Sequence, residues 1–361
     1  MHANEPVTIV FSSDGNYAPY LMVAIASALE HLQEGRPCRV YVMDCGIPVF
    51  WKARLNEVAA SRRGAEIRYL DVTELDRRLD AMFRERGSKG GVTGWSYTTY
   101  YRLFLADMLP EARRTLYLDV DILVCDDLGK VFDAEMGGKS IACVKDVCLC
   151  DDASCVEYRR RLLGCGHDME SYFNAGILLL NLEKWRGMGD LQKRVENAFC
   201  NLPHLIFPDQ DILNHVFRED KLMLHRRWNF LTPQLDGAQL PPELERETAA
   251  MVAGGDFGIV HYAGGKPWKD PLKAPLAALW WAQARRTGLD GDIIYHEHVL
   301  LRRYLQARKE AGRLHSLRWQ LWIVRMRLLF AGARRRHTLQ ARLQRLEQKM
   351  SMARKAKSIK L

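Results

Sequence analysis

The segment TLYLDVDILV, residues 115–124, decides the fold and the chemistry of this chain. Its flanking apolar residues predict a short buried strand, which two carboxylates, Asp119 and Asp121, interrupt. Side chains two positions apart in an extended segment point the same way, so both carboxylates are expected at one spot at a strand end. Buried together they repel, and a divalent cation such as Mg²⁺ or Mn²⁺ removes that cost. The alternative is a strand that ends in a plain acidic turn, because Asp126 and Asp127 follow.

Strand-like and helix-like segments alternate before this motif. The predicted elements are strands at Val7–Phe11, Cys38–Asp44 and Ile67–Leu70 and helices at about 21–32 and 49–62. This βαβαβ order predicts an α/β fold with a mainly parallel sheet, in which ligands bind at the carboxyl ends of the strands. A further helix is predicted to begin within Ser96–Phe104, an apolar strand covers Tyr172–Leu182, and another helix begins at Pro208.

Charge is distributed unevenly along the 361 residues. The formal net charge is +9, but residues 301–361 hold 18 Lys and Arg against 2 Asp and Glu. The first 300 residues therefore hold 35 basic against 42 acidic side chains. This asymmetry predicts an acidic globular body with a basic C-terminal extension that meets a polyanion.

Targeting and membrane signals are weak. The N-terminus lacks a basic segment followed by a long apolar one, and we find no apolar run of 18 residues. Nine cysteines, an odd number without an export signal, favour reduced thiols. We therefore expect a cytoplasmic protein.

Two further residues, His261 and Lys266, suit a reaction in which a phosphate group departs. A cation on Asp119 and Asp121 needs more ligands, and His261 is a candidate. Lys266 follows closely and is suited to neutralise a departing diphosphate.

Six motifs together identify a family. They are FSSDGNY (11–17), TTYYRL (98–103), LYLDVDILV (116–124), YFNAGILLLNL (172–182), DQDILN (209–214) and HYAGGKPW (261–268). In this order and spacing they resemble the family 8 retaining glycosyltransferases. The resemblance covers about residues 7 to 285 and is greatest to bacterial lipooligosaccharide α-galactosyltransferases and lipopolysaccharide core glucosyl- and galactosyltransferases. It implies a GT-A type, Rossmann-like fold that binds a nucleotide sugar over residues 1–285.

The resemblance also implies residue roles. Asp119, Asp121 and His261 would hold Mn²⁺, with Mg²⁺ as the second candidate. Gln210 and Asp209 would be the catalytic residues beside the anomeric carbon. The residues implied to bind the nucleotide sugar are Asp14, Asn16, Tyr17, Arg102, Asp119, Val120, Asn174, Ala175, Gly176, Asp209, Gln210, Gly264 and Lys266. The loop from Gly264 to Lys266 is one residue shorter than is common in the family.

The implied reaction is transfer of galactose or glucose from a UDP-sugar to an acceptor hydroxyl with retention of the α configuration. The acceptor would be a glycan or glycolipid of the lipopolysaccharide type. Retention arises either by double displacement through a carboxylate or by attack on the same face. An amide is a poor nucleophile, so Gln210 favours the second route. The competing hypotheses are a metal-dependent nucleotidyltransferase or phosphatase and a non-catalytic protein that binds UDP-sugars.

The C-terminal extension, residues 286–361, is predicted to be helical and basic. Trp319, Ile323, Met326 and Phe330 follow one helical face. Basic residues with Trp at this spacing favour an anionic membrane surface, and hence a peripheral location on the cytoplasmic face of the inner membrane. The alternatives are a helix that packs on the body or a partner, and a nucleic-acid-binding tail, for which no motif is present.

Overall fold

The computed structural model describes residues 5–86, 97–202, 205–329, 340 and 342–350. The chain forms two compact units, Met1–Ile293 and Ile294–Leu361. The strands are β1 (Val7–Ser13), β2 (Cys38–Asp44), β3 (Ala65–Asp71), β4 (Thr115–Leu118), β5 (Ile122–Val124), β6 (Ile141–Lys145), β7 (Phe173–Leu180), β8 (Lys221–Met223), β9 (Phe230–Leu231) and β10 (Ile259–His261). The first unit is thus an α/β unit that contains all ten of these strands.

Helices connect most of these strands. The α-helices are α1 (Ala18–Glu30), α2 (Val49–Ala60), α3 (Thr73–Arg86), α4 (Leu105–Met108), α5 (Gly129–Phe132), α6 (Val147–Cys150), α7 (Val156–Gly164), α8 (Leu182–Gly187), α9 (Leu191–Asn201), α10 (Pro208–Val216), α11 (Pro242–Gly254), α12 (Ala277–Arg286) and α13 (Asp290–Leu329). Short 3₁₀ segments lie at Tyr97–Thr99, Tyr101–Phe104, Ala153–Cys155, Arg226–Asn229 and Thr232–Leu235.

The central sheet of the described residues has the order β3-β2-β1-β4-β7-β6-β8. The pairs β1–β2, β2–β3, β1–β4 and β6–β8 are parallel, and β7 runs antiparallel to both β4 and β6. A second sheet has the order β5-β10-β9. The predicted α/β class with a mainly parallel sheet is confirmed.

The inner strands β1, β4 and β7 are buried on both faces, which explains their continuous apolar sequences. Val7, Ile9 and Phe11 of β1 point into one core with α1 and α12, whereas Val10 points into a second core with α9 and α10. Helix α1 is buried along its length except at Glu30, because it packs against α2, α12 and β5. This packing fixes the strand ends that carry the polar motifs.

The single strand predicted over residues 115–124 is wrong. The chain leaves the central sheet after Leu118 and enters the second sheet at Ile122, so the residues between β4 and β5 join two sheets. The carboxylates of Asp119 and Asp121 therefore sit in a crossing segment, and a regular strand does not set their direction. The backbone of this segment is pinned by Asp119 N, which donates to Gly176 O at 2.8 Å.

The helix predicted to begin within Ser96–Phe104 also differs. Residue 96 lies outside the described residues, and the remainder forms two 3₁₀ segments before the short helix α4. Tyr101, Arg102, Leu103 and Phe104 are all buried, so no solvent-facing side remains for an amphipathic helix. Tertiary packing determines the backbone here.

The second unit has a small apolar core of its own. Leu317, Leu321 and Val324 of α13 pack with Leu346 and Met350, which belong to helical backbone over 342–350. This buried face is set by the i, i+4, i+7 positions Leu317, Leu321 and Val324. The face predicted from Trp319, Ile323, Met326 and Phe330 lies outside the described residues or side chains. No described helix is long and apolar enough to cross a membrane.

Candidate active site

A cavity of about 480 Å³ opens where β1 and β4 end, β7 begins and α10 starts. Its lining contains most of the site residues predicted from sequence: Asp14, Tyr17, Arg102, Asp119, Val120, Asp121, Asn174, Ala175, Gly176, Asp209, Gln210, His261 and Lys266. Asn16 and Gly264 lie outside that lining. Carboxyl ends of strands are the expected ligand position in such a sheet.

The turn after β1 is held by Asp14. Its Oδ1 accepts hydrogen bonds from the backbone N–H groups of Asn16 (2.9 Å) and Tyr17 (3.0 Å), which leads the chain into α1. The Tyr17 ring packs edge-on against Tyr20 and Trp268. The turn thereby presents Tyr17, which is 36% exposed, at one wall of the cavity.

Strand register brings His261 to the two carboxylates. His261 pairs with Ile122 across the antiparallel β5–β10 ladder, and Tyr262 N donates to Asp121 O at 2.8 Å. His261 Nε2 lies 3.8 Å from Asp119 Oδ2 and 3.5 Å from Asp121 Oδ1. One ligand atom of each residue lies within 4.8 Å of the others, a cluster that could hold a metal ion.

Gly176, in β7, packs closely against this cluster. A Cβ built at this position would overlap His261 Cε1 and would stand 2.8 Å from Asp119 Oδ2. The carbonyl of Gly176 accepts from Asp119 N. Glycine is therefore required here by close approach.

Lys266 supplies the positive charge that faces the cluster. Its Nζ donates to Asp121 Oδ2 and to the carbonyl of Tyr262. Burial raises the pKa of Asp121, but Lys266 and His261 outweigh burial and hold that pKa well below its ordinary value. Asp121 is thus an ionised carboxylate with one oxygen directed at a lysine and the other toward an imidazole.

Arg102 is buried between two acids. Its Nη2 donates to Asp119 Oδ1 at 2.9 Å, its Nε lies 3.0 Å from Asp209 Oδ2, and its guanidinium stacks 4.1 Å from the Tyr117 ring centroid. Burial lowers the pKa of Arg102, but Asp119 and Asp209 raise it by more. Burial also raises the pKa of Asp209 to about 6, against the opposing effect of Arg102. Arg102 is therefore a fixed cation that links the crossing segment to α10.

The amide side chains of Asn174 and Gln210 form one wall of the cavity. Gln210 Oε1 accepts from Ala175 N at 2.9 Å, and its Nε2 donates to Asp146 Oδ2 at 3.2 Å. Asn174 Nδ2 donates to the same oxygen at 3.0 Å. Burial raises the pKa of Asp146, while Asn174, Leu149 N and Gln210 oppose that rise by hydrogen bonds. The amides of Asn174 and Gln210 are consequently held in one orientation.

The cavity carries excess negative charge. Five aspartates line it, at positions 14, 119, 121, 146 and 209, against two basic side chains, Arg102 and Lys266. Ionised groups at a buried site need compensation. A divalent cation at Asp119, Asp121 and His261 fits this imbalance.

Residues 8–271 match the sequence profile of the family described as Glycosyl transferase family 8. The chain belongs to glycosyl transferase family 8. The match includes β1, the D-x-D segment, β7, α10 and β10, which together form the cavity. This family 8 chain is therefore a glycosyltransferase.

Several bacterial proteins are similar in sequence to much of this chain. General stress protein A of Bacillus subtilis is 28% identical over 280 residues, which are 76% of this chain and 92% of that protein. A putative glycosyltransferase of Haemophilus influenzae is 29% identical over 64% of this chain and 66% of its own length. Glycosyltransferase GlyB of Streptococcus pneumoniae is 26% identical over 76% and 60%. The chain spans less than two thirds of the length of the last two proteins.

Solved glycosyltransferases share the fold. The galactosyltransferase LgtC, solved with donor and acceptor sugar analogs, aligns with a TM-score of 0.60 and 28% identity over 78% of this chain and 96% of LgtC. An active-site mutant of LgtC, in which glutamate replaces a glutamine, aligns equally well. The bifunctional glycosyltransferase WbbM aligns with a TM-score of 0.60 at 21% identity, over 77% of this chain and 51% of WbbM, and supports the fold alone. The expected GT-A type fold is confirmed.

Two residues that contact the cluster, Asn229 and Tyr117, were not predicted as site residues from the sequence. Asn229 is 2% exposed and its Oδ1 lies 2.9 Å from His261 Nδ1. Tyr117 donates from its hydroxyl to Asp119 Oδ1 at 3.1 Å. The sequence offers one signal for Asn229, a polar residue between Trp228 and Phe230, and that pattern alone predicts only a buried aromatic segment.

Proposed function

We propose that this glycosyltransferase moves galactose or glucose from a UDP-sugar to a hydroxyl of a glycan or glycolipid of the lipopolysaccharide type, with retention of the α configuration. One observation carries the proposal. The cluster of Asp119, Asp121 and His261 lies beside Lys266, and all four line the same cavity as Gln210. A diphosphate and a sugar are the two groups that such an arrangement is suited to bind.

The residues of the cluster fit Mn²⁺ or Mg²⁺. Two carboxylate oxygens and one imidazole nitrogen are ligands of the type that these ions accept. Bound there, the ion would supply positive charge to the diphosphate as UDP leaves. A UDP-sugar brings further negative charge into a cavity where aspartates already outnumber basic groups.

Lys266 and Arg102 serve different purposes in this proposal. Lys266 is the nearest cation to Asp121 and can transfer its hydrogen bond to a phosphate oxygen. Arg102 is already engaged by Asp119, Asp209 and the Ala175 carbonyl, so it holds the two acids in position. We assign Asp14, Asn16 and Tyr17 to the nucleoside.

The remaining predicted residues surround the sugar and the phosphates. We assign Asn174, Ala175 and Gly176 to the donor sugar. Val120 and Gly264 would approach the nucleotide sugar through their backbones.

Attack on the same face is the favoured route. Both ends of the Gln210 amide are engaged, one by Ala175 N and the other by Asp146, and an amide is in any case a poor nucleophile. Asp209 is held by Arg102 and is better suited to fix sugar hydroxyls than to attack. In this route the leaving phosphate takes the proton of the acceptor hydroxyl. The LgtC mutant, which changes an active-site glutamine, supports a role for Gln210, the glutamine in this lining.

Two other functions remain as alternatives. A metal-dependent nucleotidyltransferase or phosphatase would use the same carboxylates on phosphorus, but it would leave the Asn174 and Gln210 wall without a role. A non-catalytic UDP-sugar-binding protein would bind the donor without turnover. The family membership favours glycosyl transfer over both.

The test is hydrolysis of a panel of UDP-sugars with and without Mn²⁺. We expect UDP release from one sugar nucleotide, dependent on Mn²⁺ and lost in Asp121→Ala. Asp236→Ala, which changes an exposed aspartate, is the matched control and should behave as wild type. Release of phosphate or UMP would favour the nucleotidyltransferase or phosphatase. No UDP release, together with no Mn²⁺-dependent UDP binding by calorimetry, would overturn the proposal.

We further propose that the extension over residues 286–361 binds the anionic cytoplasmic face of the inner membrane peripherally, where it would meet a lipid-linked acceptor. The described part of α13 exposes apolar side chains, among them Ile294, Leu301 and Leu305, at i, i+7 and i+11. Basic residues accompany them, as membrane-surface helices require. An interaction helix is the second candidate and a nucleic-acid contact the third.

A further inference from the structure

A chain of hydrogen bonds connects Asp146, beside the proposed sugar-binding wall of Asn174 and Gln210, to His261 of the proposed metal site. Asp146 Oδ2 accepts from Asn174 Nδ2 at 3.0 Å, and Asn174 Oδ1 accepts from Asn229 Nδ2 at 2.9 Å. Asn229 Oδ1 lies 2.9 Å from His261 Nδ1. The four residues come from four separate parts of the chain, and each of the two middle residues, Asn174 and Asn229, contacts both of its neighbours.

The direction of this chain is set by the backbone. Gly176 N can only donate, and it donates to Asn174 Oδ1 at 2.9 Å, so the atom of Asn174 that faces Asp146 is its amide nitrogen. Asn229 must then present its own nitrogen to Asn174 and its oxygen to His261. The proton of a neutral His261 therefore lies on Nδ1, where it is donated to Asn229.

This tautomer leaves the lone pair on Nε2. Nε2 is the atom that faces Asp119 Oδ2 at 3.8 Å and Asp121 Oδ1 at 3.5 Å. A lone pair next to two carboxylates is unfavourable unless a cation lies between them. Side chains that accept the other N–H of a ligating histidine fix its ring orientation and raise its basicity.

We infer that Asn229 is a positioning residue, which holds His261 in the Nδ1-protonated tautomer and aims Nε2 at the metal. The inference rests on the proposed metal site. Asn229 is only 2% exposed and lies behind the histidine, so it acts through His261 and does not line the cavity. Asn229 also donates to Asn174, and it thereby connects His261 to the proposed sugar-binding wall.

The experiment measures Mn²⁺ affinity of the full chain by calorimetry, with and without saturating UDP, before any turnover assay. Asn229→Leu removes the acceptor for His261, and we expect Mn²⁺ to bind about 10- to 100-fold more weakly. Asn229→Asp keeps an acceptor for Nδ1–H, and we expect an affinity within about threefold of wild type or tighter, as in carboxylate–histidine–metal triads. In a His261→Ala background, Asn229→Leu should cause no further loss.

The outcomes separate the two proposals. If wild type binds no Mn²⁺ in the presence of UDP, the proposed metal-dependent function fails. If wild type binds Mn²⁺ and Asn229→Leu binds it equally well, the role of Asn229 is overturned. If Asn229 served only to maintain the fold, a buried aspartate at position 229 would reduce Mn²⁺ affinity at least as much as leucine does. An equal loss of Mn²⁺ affinity in both variants would therefore also contradict the inference. Unfolding temperatures without metal identify any variant that does not fold.

Discussion

At the scale of single residues, Gly176 has the least freedom to change. Its Cα faces His261 and Asp119, and a methyl group there would displace both. Its backbone groups are also used, because its N–H holds Asn174 Oδ1 and its carbonyl holds Asp119 N. One glycine thus supports both Asn174 and the cluster of Asp119, Asp121 and His261.

We predict that Gly176→Ala lowers Mn²⁺-dependent UDP release by about 100-fold, because displacement of about 1 Å at a catalytic centre commonly has that effect. The measurement is UDP release from the UDP-sugar that the panel of donors selects, together with the unfolding temperature. Gly187→Ala is the matched control, since a Cβ at Gly187 meets nothing within 4 Å. Wild-type turnover in a folded Gly176→Ala protein would show that the cluster tolerates the shift.

At the scale of secondary-structure elements, the start of α10 is stabilised by a buried acid. Asp211 Oδ2 accepts from the backbone N–H groups of Ile206 (2.6 Å) and Phe207 (3.1 Å), and Tyr172 donates to Oδ1 at 2.5 Å. His167 Nε2 lies 4.0 Å from Oδ1. Asp211 therefore holds the turn from which Asp209 and Gln210 enter the cavity.

This acid makes stability depend on pH. Burial raises the pKa of Asp211 to about 6, although its hydrogen bonds to Tyr172, Phe207 and Ile206 lower it. The folded protein thus holds the proton more tightly than the unfolded chain, so the stabilisation is complete at pH values below the ordinary pKa and is lost as pH rises through 6. Burial lowers the pKa of His167 to about 4, so that ring stays neutral over most of this range.

We predict that the unfolding free energy of wild type minus that of Asp211→Asn falls as pH rises from 4 to 7, by at most about 1.4 kcal/mol per pH unit. The asparagine has no proton to lose at this site, and its amide oxygen can accept from Ile206 N and Phe207 N while its nitrogen faces the Tyr172 hydroxyl, so it serves as the uncharged reference. Urea unfolding at each pH gives the difference. Asp236→Asn, which changes an exposed aspartate, is the control variant. A wild-type value that rises with pH relative to that of Asp211→Asn would refute the assignment.

Elements were predictable from sequence where local pattern and tertiary packing agree. The early strands and helices have continuous apolar runs or helical spacing, and their bounds differ by few residues from those observed. The prediction of one strand over residues 115–124 was wrong, because a strand pattern cannot reveal that the two halves of the segment pair in different sheets. Most site residues were predictable through the motifs, but Asn229 was not, because its function depends on β9 and β10 lying side by side.

At the scale of the whole molecule, charge divides the chain into an acidic part and a basic part. Residues 1–300 are acidic overall and carry the cavity, whereas residues 301–361 carry 18 basic side chains against 2 acidic ones. A net charge of this size favours association with a polyanion, and each basic residue near an anionic bilayer contributes about 1 kcal/mol. The buried face at Leu317, Leu321 and Val324 packs within the second unit, which leaves the exposed stripe at Ile294 and Leu301 for a surface.

We predict that the full chain binds vesicles rich in anionic phosphatidylglycerol at low salt, and that binding is lost in about 0.5 M salt because the charges are then screened within a few ångströms. Replacing Arg334, Arg335 and Arg336 by Gln removes about 3 kcal/mol of attraction, which corresponds to about 100-fold weaker binding. The control replaces three exposed arginines of the first unit, Arg77, Arg113 and Arg160, and should change binding little. Vesicle co-sedimentation measures all three proteins. An intact chain that stays unbound at low salt contradicts a membrane role, and self-association in the same experiment would favour an interaction helix.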